Sequence, residues 1–371
     1  MKILFCDNSL RELLNFRGDI VDFFARKGCD IVLVSPQTRE YEPDLPNIRY
    51  ISVSMDRSGT NPLAEISYFI TLCRIYRTEK PDVVFHYTIK PNIYGTLAAH
   101  FSGCKSIAMV AGLGYMFTGN SISKRLGRLL YKFGLRCSQQ VLLLNSANAE
   151  SLVSKGFIRA ERAILLAGGE GVNLTRFHYN ESRFDTVRYL MVARVLYDKG
   201  YEEYVDAAAL VKQKYPDIEI GLLGPLDETS PMRVPKTIVD KDVAAGKIAY
   251  FGVTDDVRSW CSRGGVVIVL PSYHEGMNRS LMEACAMGCP CITTDIPGCR
   301  EIVDDGVNGY LVPKKDSASL AAAMIRFIEL PLKEKEAMAA KSRKIAEERF
   351  DMNKVIETYE RLISDISIRK V

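Results

Sequence analysis

Two α/β domains, each built on a parallel sheet, are what this sequence predicts, on three observations. Met1 to Cys6 reads as a strand, Asn15 to Gly28 has helical apolar spacing with a glycine stop, and Cys29 to Ser35 is a second apolar strand. Strand, helix and strand in so short a stretch form a βαβ unit, whose strands run parallel. The same alternation restarts at Val187. At 371 residues the chain exceeds one ordinary core, which gives each alternation its own domain.

In chain order, a helix over about Pro62–Glu79 stops before Lys80-Pro81-Asp82, which introduces the strand Val83 to His86. Strands at Ile107–Val110, Val141–Asn145 and Ala163–Leu166, with a helix over Ala147–Gly156, continue the first domain. Parallel sheets hold ligands in the loops at the carboxyl ends of their strands. Here those loops are Asn8-Ser9-Leu10-Arg11, Tyr87 to Gly95 and Ala111 to Gly119. The first lacks the Gly-x-Gly-x-x-Gly fingerprint, which disfavours a nicotinamide dehydrogenase. His86 closes its strand at that edge, a position that suits a satisfied core histidine and a ligand contact equally. Lys90 lies in a turn where it can meet a phosphate as a point charge or stay an ordinary surface lysine. Gly112 and Gly114 permit a tight turn. The loop Gly168 to Phe177 ends the domain at about residue 178, and polar residues from Tyr179 to Asp185 form the linker.

Charge is distributed unevenly. The net charge of +4 is too small over the whole chain to indicate nucleic-acid binding. Between Asp82 and Glu150, however, there is no acidic residue, while Lys90, Lys105, Lys124, Arg125, Arg128, Lys132 and Arg136 are present. Ser123 to Arg136 places Leu126, Leu129, Leu130 and Phe133 on one helical face flanked by these cations. Such a basic amphipathic helix suits adsorption to anionic lipid, or packing on the sheet with a solvated basic face. No apolar run approaches the roughly 20 residues that cross a bilayer, so membrane contact is expected to be peripheral.

The second domain, residues 186–350, opens with the strand Val187–Arg194, whose turn carries Lys199. A helix to Tyr215 and the strands Ile218–Gly224 and Ile248–Val253 follow. Val266 to Pro271 is an unbroken apolar strand that leads through the turn at Gly276 into a helix stopping at Gly288. The helix start at Met277, Asn278, Arg279 and Ser280 offers backbone N–H groups to an anion, most often phosphate. Glu275 precedes it and Glu283 lies within it, with seven residues between them. Ten cysteines without a regular framework, and no signal peptide, point to a reduced cytosolic setting. Cys285, Cys289, Cys291 and Cys299 cluster, but with no paired C-x-x-C they read as small core hydrophobes, and no metal is expected. Residues 351–371 form a final helix.

The two glutamates, with Gly288 to Ile292, Pro297 to Val303 and Gly306 to Val312, resemble the retaining, family-4 glycosyltransferases of the two-domain GT-B fold. The likeness covers most of the C-terminal half. It implies two Rossmann-like domains facing across a cleft, with the last helix returning toward the first. By that resemblance Glu275 contacts the donor sugar, Glu283 the ribose, Val253 the base, and Arg194 and Lys199 the donor diphosphate. The turns after His86 and Val110 resemble those of bacterial transferases that extend undecaprenyl-diphosphate-linked sugars. That places His86, Lys90, Asn92, Gly112, Gly114 and Tyr115 on the acceptor side. The resemblance further implies a UDP-sugar donor, no required cofactor, and a polyprenyl-diphosphate-linked saccharide acceptor, with the enzyme peripheral on the inner face of the cytoplasmic membrane. A GT-B nucleotide-sugar epimerase, or a non-catalytic subunit of a polysaccharide assembly complex, are the alternatives; the joint presence of Arg194, Lys199 and Glu283 argues against the subunit.

Overall fold

The computed structural model describes residues 1–368 other than 38–40, 42, 57, 58, 60, 114–116, 118–121, 167 and 180–183. The chain divides into two compact units, Met1–Glu170 with Met352–Val371, and Gly171–Asp351.

In the first unit the order is β1 (Lys2–Cys6), α1 (Leu10–Arg26), β2 (Asp30–Ser35), β3 (Ile48–Ser52), α2 (Pro62–Glu79) and β4 (Val83–Tyr87). Then come α3 (Thr96–Phe101), β5 (Ser106–Val110), α4 (Ile122–Cys137), β6 (Gln140–Leu143), α5 (Ser146–Ser154) and β7 (Ala163–Leu165). The seven strands are parallel in the order β3-β2-β1-β4-β5-β6-β7. Strands β4 and β5 are buried along their whole length, as their unbroken apolar runs require when helices cover both faces. The order reverses at β1 and β4, so right-handed crossovers put α1 on one face and α2, α3 and α4 on the other. On the second face α2 packs on α3 and α3 on α4.

Helix α1 begins five residues before its expected start. The Ser9 hydroxyl accepts from the Glu12 N–H and caps it, so Leu10 and Arg11 belong to the helix and the loop after β1 shrinks to Asp7–Ser9. Helix α4 also differs from expectation. It buries Tyr131 and Leu135 and turns Leu130 inward, whereas Leu126, Leu129 and Phe133 are exposed, joined one turn earlier by Ile122.

The second unit runs β8 (Arg188–Val192), α6 (Tyr201–Lys214), β9 (Glu219–Leu223), α7 (Lys236–Ala244), β10 (Ala249–Tyr250), α8 (Arg258–Cys261) and β11 (Val266–Leu270). It continues with α9 (Arg279–Ala286), β12 (Cys291–Thr294), β13 (Gly309–Val312), α10 (Ser317–Glu329) and α11 (Leu332–Ile345), and α12 (Met352–Ile368) returns to the first unit. Its six parallel strands lie in the order β10-β9-β8-β11-β12-β13, reversing at β8 and β11. One core spans this unit from Val172 to Phe350, and the Val172 N–H donates to the Phe350 carbonyl, tying its two ends together. In the first unit α12 lies on α1, and its Tyr359 meets the β4 residues Phe85 and Tyr87, ring on ring with Phe85 and hydroxyl to hydroxyl at 3.1 Å with Tyr87.

Candidate active site

Open parallel sheets bind ligands at the carboxyl edge where strand order reverses. In the second unit that point lies between β8 and β11. Strand β8 delivers Arg194 and then Lys199, and β11 delivers the turn with Glu275. Strand and turn are fastened to each other: the Tyr273 N–H donates to the Asp198 carbonyl at 2.9 Å, and the Ser272 hydroxyl donates to the same oxygen at 3.3 Å. Lys199 Nζ therefore reaches Glu275 Oε1 at 2.6 Å, with both side chains largely shielded from water. Gly298 closes the turn from the far side. Its φ is +87°, and a Cβ there would stand 2.5 Å from the Gly276 carbonyl oxygen and 2.9 Å from that of Glu275.

Arg194 is more open, 57% exposed, and its guanidinium bonds Asp227 Oδ2 at 2.8 Å. Asp227 belongs to the loop after β9. Its carboxyl is held below the ordinary aspartate value, first by the Thr229 hydroxyl and then by Arg194. The sequence reading missed Asp227, and a single acid in a turn carries no signal of its own. At the start of α9, Asn278 is the cap: its side chain accepts the Leu281 N–H at 3.0 Å. Asn278 is thereby committed to the helix, and of the residues expected to offer amides there, Met277 packs against the core while Ser280 is half-buried in the first turn. Glu283 Oε1 accepts from Arg279 Nε at 2.7 Å, one helical turn apart. Val253 follows β10 and is exposed. The structure thus gathers Arg194, Lys199 and Glu275 at one sheet edge, with α9 carrying Arg279 and Glu283 next along the chain.

The acceptor-side residues fare differently. His86 is fully buried in β4, with Nε2 3.0 Å from the Tyr76 hydroxyl, and burial pushes its pKa down to about 3. Gly95 closes over the ring, since a Cβ there would stand 2.3 Å from it. Of the two readings open for His86, the structure places it in the core, as a neutral packing group. Lys90 does not project freely: its ammonium bonds the Asp56 and Gly59 carbonyls at 2.5 and 2.8 Å and pairs with Glu65. Asn92 is buried and donates to the Met109 carbonyl at 2.7 Å. Gly112 is half-buried, and Gly114 and Tyr115 lie outside the described residues.

At the first sheet's own reversal point stands a group with no forewarning in the sequence. Arg17 of α1, almost wholly buried, pairs with Glu170, lies 3.7 Å from Asp7 at the end of β1, and sits 4.3 Å over the Tyr87 ring. Burial raises the Asp7 carboxyl to about 6 against the opposing pull of Arg17. Periodicity shows only an arginine on a helix. In the second unit the clustered cysteines are buried in the core, with the Cys285 and Cys291 sulfurs 3.8 Å apart, and among the described residues no group of three or more His, Cys, Asp or Glu is placed to hold a metal.

Residues 186–330, which carry this edge, match the family described as Glycosyl transferases group 1, and residues 2–146 match Glycosyl transferase 4-like. The chain is 26% identical over 349 residues to an N,N'-diacetylbacillosaminyl-diphospho-undecaprenol alpha-1,3-N-acetylgalactosaminyltransferase of Campylobacter jejuni, covering 89% of this chain and 90% of that protein. It is 23% identical over 282 residues to a UDP-Gal:alpha-D-GlcNAc-diphosphoundecaprenol alpha-1,3-galactosyltransferase of Escherichia coli, covering 71% and 70%. Among solved structures it is similar to Anabaena HepE in complex with UDP-glucose, with a TM-score of 0.78 at 18% identity over 98% of this chain and 100% of that one. The two matched domains and the paired parallel sheets define the class: the chain belongs to the glycosyltransferases and has the GT-B fold.

Proposed function

We propose that this protein is a retaining hexosyltransferase that moves a sugar, a hexose or N-acetylhexosamine, from a UDP-sugar to a polyprenyl-diphosphate-linked saccharide during synthesis of a surface polysaccharide or glycan. The observation that carries the reading is the set of Arg194, Lys199 and Glu275 at the strand-order reversal of the second sheet, with Lys199 bonded to Glu275. In such a transfer negative charge grows on the leaving diphosphate while the sugar becomes cation-like. Arg194 suits a bidentate grip on that diphosphate and Lys199 a point contact. Their positions are set by the fold before charge develops, which is electrostatic preorganisation. Each cation already faces a carboxylate, Arg194 that of Asp227 and Lys199 that of Glu275, so the diphosphate exchanges one anionic partner for another. Glu275, released from part of that bond, orients the sugar. A leaving-group oxygen on the same face takes the acceptor proton, and no cofactor beyond the donor is required.

The test is calorimetric binding of uridine, guanosine and adenosine diphosphates. Uridine diphosphate should bind preferentially, and Arg194→Ala should weaken it by about 1.5–3 kcal/mol, the worth of one charge-assisted contact. Absence of binding by all three nucleotides would remove the donor site and favour a non-catalytic subunit.

The acceptor reading is supported by the outer surface of α4. Ile122, Leu126, Leu129 and Phe133 are exposed along one stripe of a helix that also carries Lys124, Arg125 and Arg128, and no helix among the described residues is long and apolar enough to cross a membrane. This stripe rests on the inner face of the cytoplasmic membrane. Changing Lys124, Arg125 and Arg128 to Glu should weaken binding to phosphatidylglycerol vesicles at least about 100-fold, since each basic residue near such a surface contributes about 1 kcal/mol. Equal flotation of variant and wild type would exclude this docking mode.

A further inference from the structure

A cavity of about 380 Å³ opens in the first unit beside α4. Four cations line it, Arg125, Arg128, Lys132 and Lys155, with walls from Phe117, Phe157 and Leu129, and none of the lining residues is acidic. Arg125, Arg128, Leu129 and Lys132 fall at helical spacings that put them on one stripe of α4. Lys155 and Phe157 come from the turn after α5, and that turn is tied to α4: Arg136 donates to the Gly156 carbonyl at 2.9 Å, and Arg162 donates to the Arg136 carbonyl at 2.7 Å. The Lys155 ammonium is held by the Ser151 hydroxyl at 2.9 Å, Lys132 lies 5.8 Å over the Phe157 ring, and Phe157 leans on Phe117 at 5.4 Å. The pocket is therefore assembled from three chain segments, with four cationic side chains along its lining.

Four like charges around one cavity repel one another, and a multiply charged anion relieves that repulsion. The apolar walls select among anions. Phe117 and Phe157 stand at 50° to each other, which offers no parallel slot for a nucleobase. Leu129 belongs both to the cavity and to the exposed apolar stripe of α4, so hydrocarbon leaving the pocket meets further hydrocarbon. We propose that this pocket is a binding site for the diphosphate of a prenyl ester, with the cations on the phosphates and the first carbons of the chain against Leu129 and the two phenylalanines. The choice of a prenyl ester rests on the acceptor reading above; the anion site itself does not.

The test is calorimetry of the full-length protein with farnesyl diphosphate below its micellar range, inorganic pyrophosphate and farnesol. Farnesyl diphosphate should bind the wild type, and Lys132→Gln with Lys155→Gln should weaken it at least about tenfold through the loss of charge-assisted contacts. Lys132→Arg with Lys155→Arg should retain the binding, which separates lost charge from lost fold. Farnesol should not bind, and pyrophosphate should bind more weakly than the prenyl ester by about tenfold or more, because it buries no hydrocarbon. Equal farnesyl diphosphate binding by wild type and the glutamine variant, or equal binding of pyrophosphate and farnesyl diphosphate, would each overturn the proposal. Uridine diphosphate binding to the wild type tests the other site: its absence alongside farnesyl diphosphate binding would sink the transferase reading and leave this pocket standing.

Discussion

Glu275→Gln is expected to lower sugar transfer by roughly 10²–10³-fold, the scale of losing one preorganised electrostatic contact, while uridine diphosphate affinity stays within about twofold. The two readouts part because of where Glu275 sits. Its Oε1 accepts from Lys199 at 2.6 Å, and glutamine keeps that acceptor and nearly the same shape, so the turn between β11 and α9 is left standing. What disappears is the negative charge that, in the proposed reaction, stands beside a sugar becoming cation-like. Lys199→Ala should behave differently, lowering transfer and weakening uridine diphosphate together, because it removes the cation and leaves a nearly buried carboxylate without its ammonium. Steady-state kinetics on both variants, with nucleotide binding measured on the same samples, would decide the matter. If Glu275→Gln lost nucleotide binding and turnover in parallel, Glu275 would serve only to hold Lys199.

The sheet edge that carries these residues was readable in the sequence because both of its components are local. An unbroken run such as Val266 to Leu270 declares a buried strand, and the residues beyond a parallel strand stand at its carboxyl end whatever the rest of the chain does. Arg194, Lys199 and Glu275 could be placed on that reasoning, and the structure puts Lys199 in contact with Glu275 across 76 positions of chain. What was not readable depends on a partner far away in sequence. His86 is a core residue because Tyr76 and Gly95 enclose it, and nothing in the run Val83 to Tyr87 shows that. Lys90 is tied down by Asp56, Gly59 and Glu65, and Arg17 finds Glu170 and Asp7 at opposite ends of the first unit's chain. Local pattern also misjudged α4 by one position. Leu130 falls within the same apolar arc as Leu126, Leu129 and Phe133, and only packing against Tyr131 and the strands behind it decides that Leu130 turns inward.

Gly200→Ala is expected to destabilise the second unit strongly, costing roughly 3 kcal/mol or more. Two effects add. Gly200 has φ +80°, and an L-residue pays about 1–2 kcal/mol for that left-handed conformation. The new Cβ would also stand 2.1 Å from the Pro271 carbonyl oxygen and 2.7 Å from its carbon, both backbone atoms at the end of β11 that have no rotamer to yield. Gly246→Ala separates the two, since Gly246 has φ +71° but nothing within 4 Å of the added methyl, so it should show the conformational cost alone. Denaturant midpoints of the two variants should therefore differ clearly, and equal midpoints would mean that the turn after Lys199 does not lie against Pro271. The same contact links stability to chemistry. Relieving the overlap pushes the Lys199 turn away from the strand end that leads to Glu275, and their 2.6 Å bond has little slack. Gly200→Ala should accordingly lose transfer activity even at temperatures where it remains folded, whereas Gly246→Ala, at the far end of α7, should not.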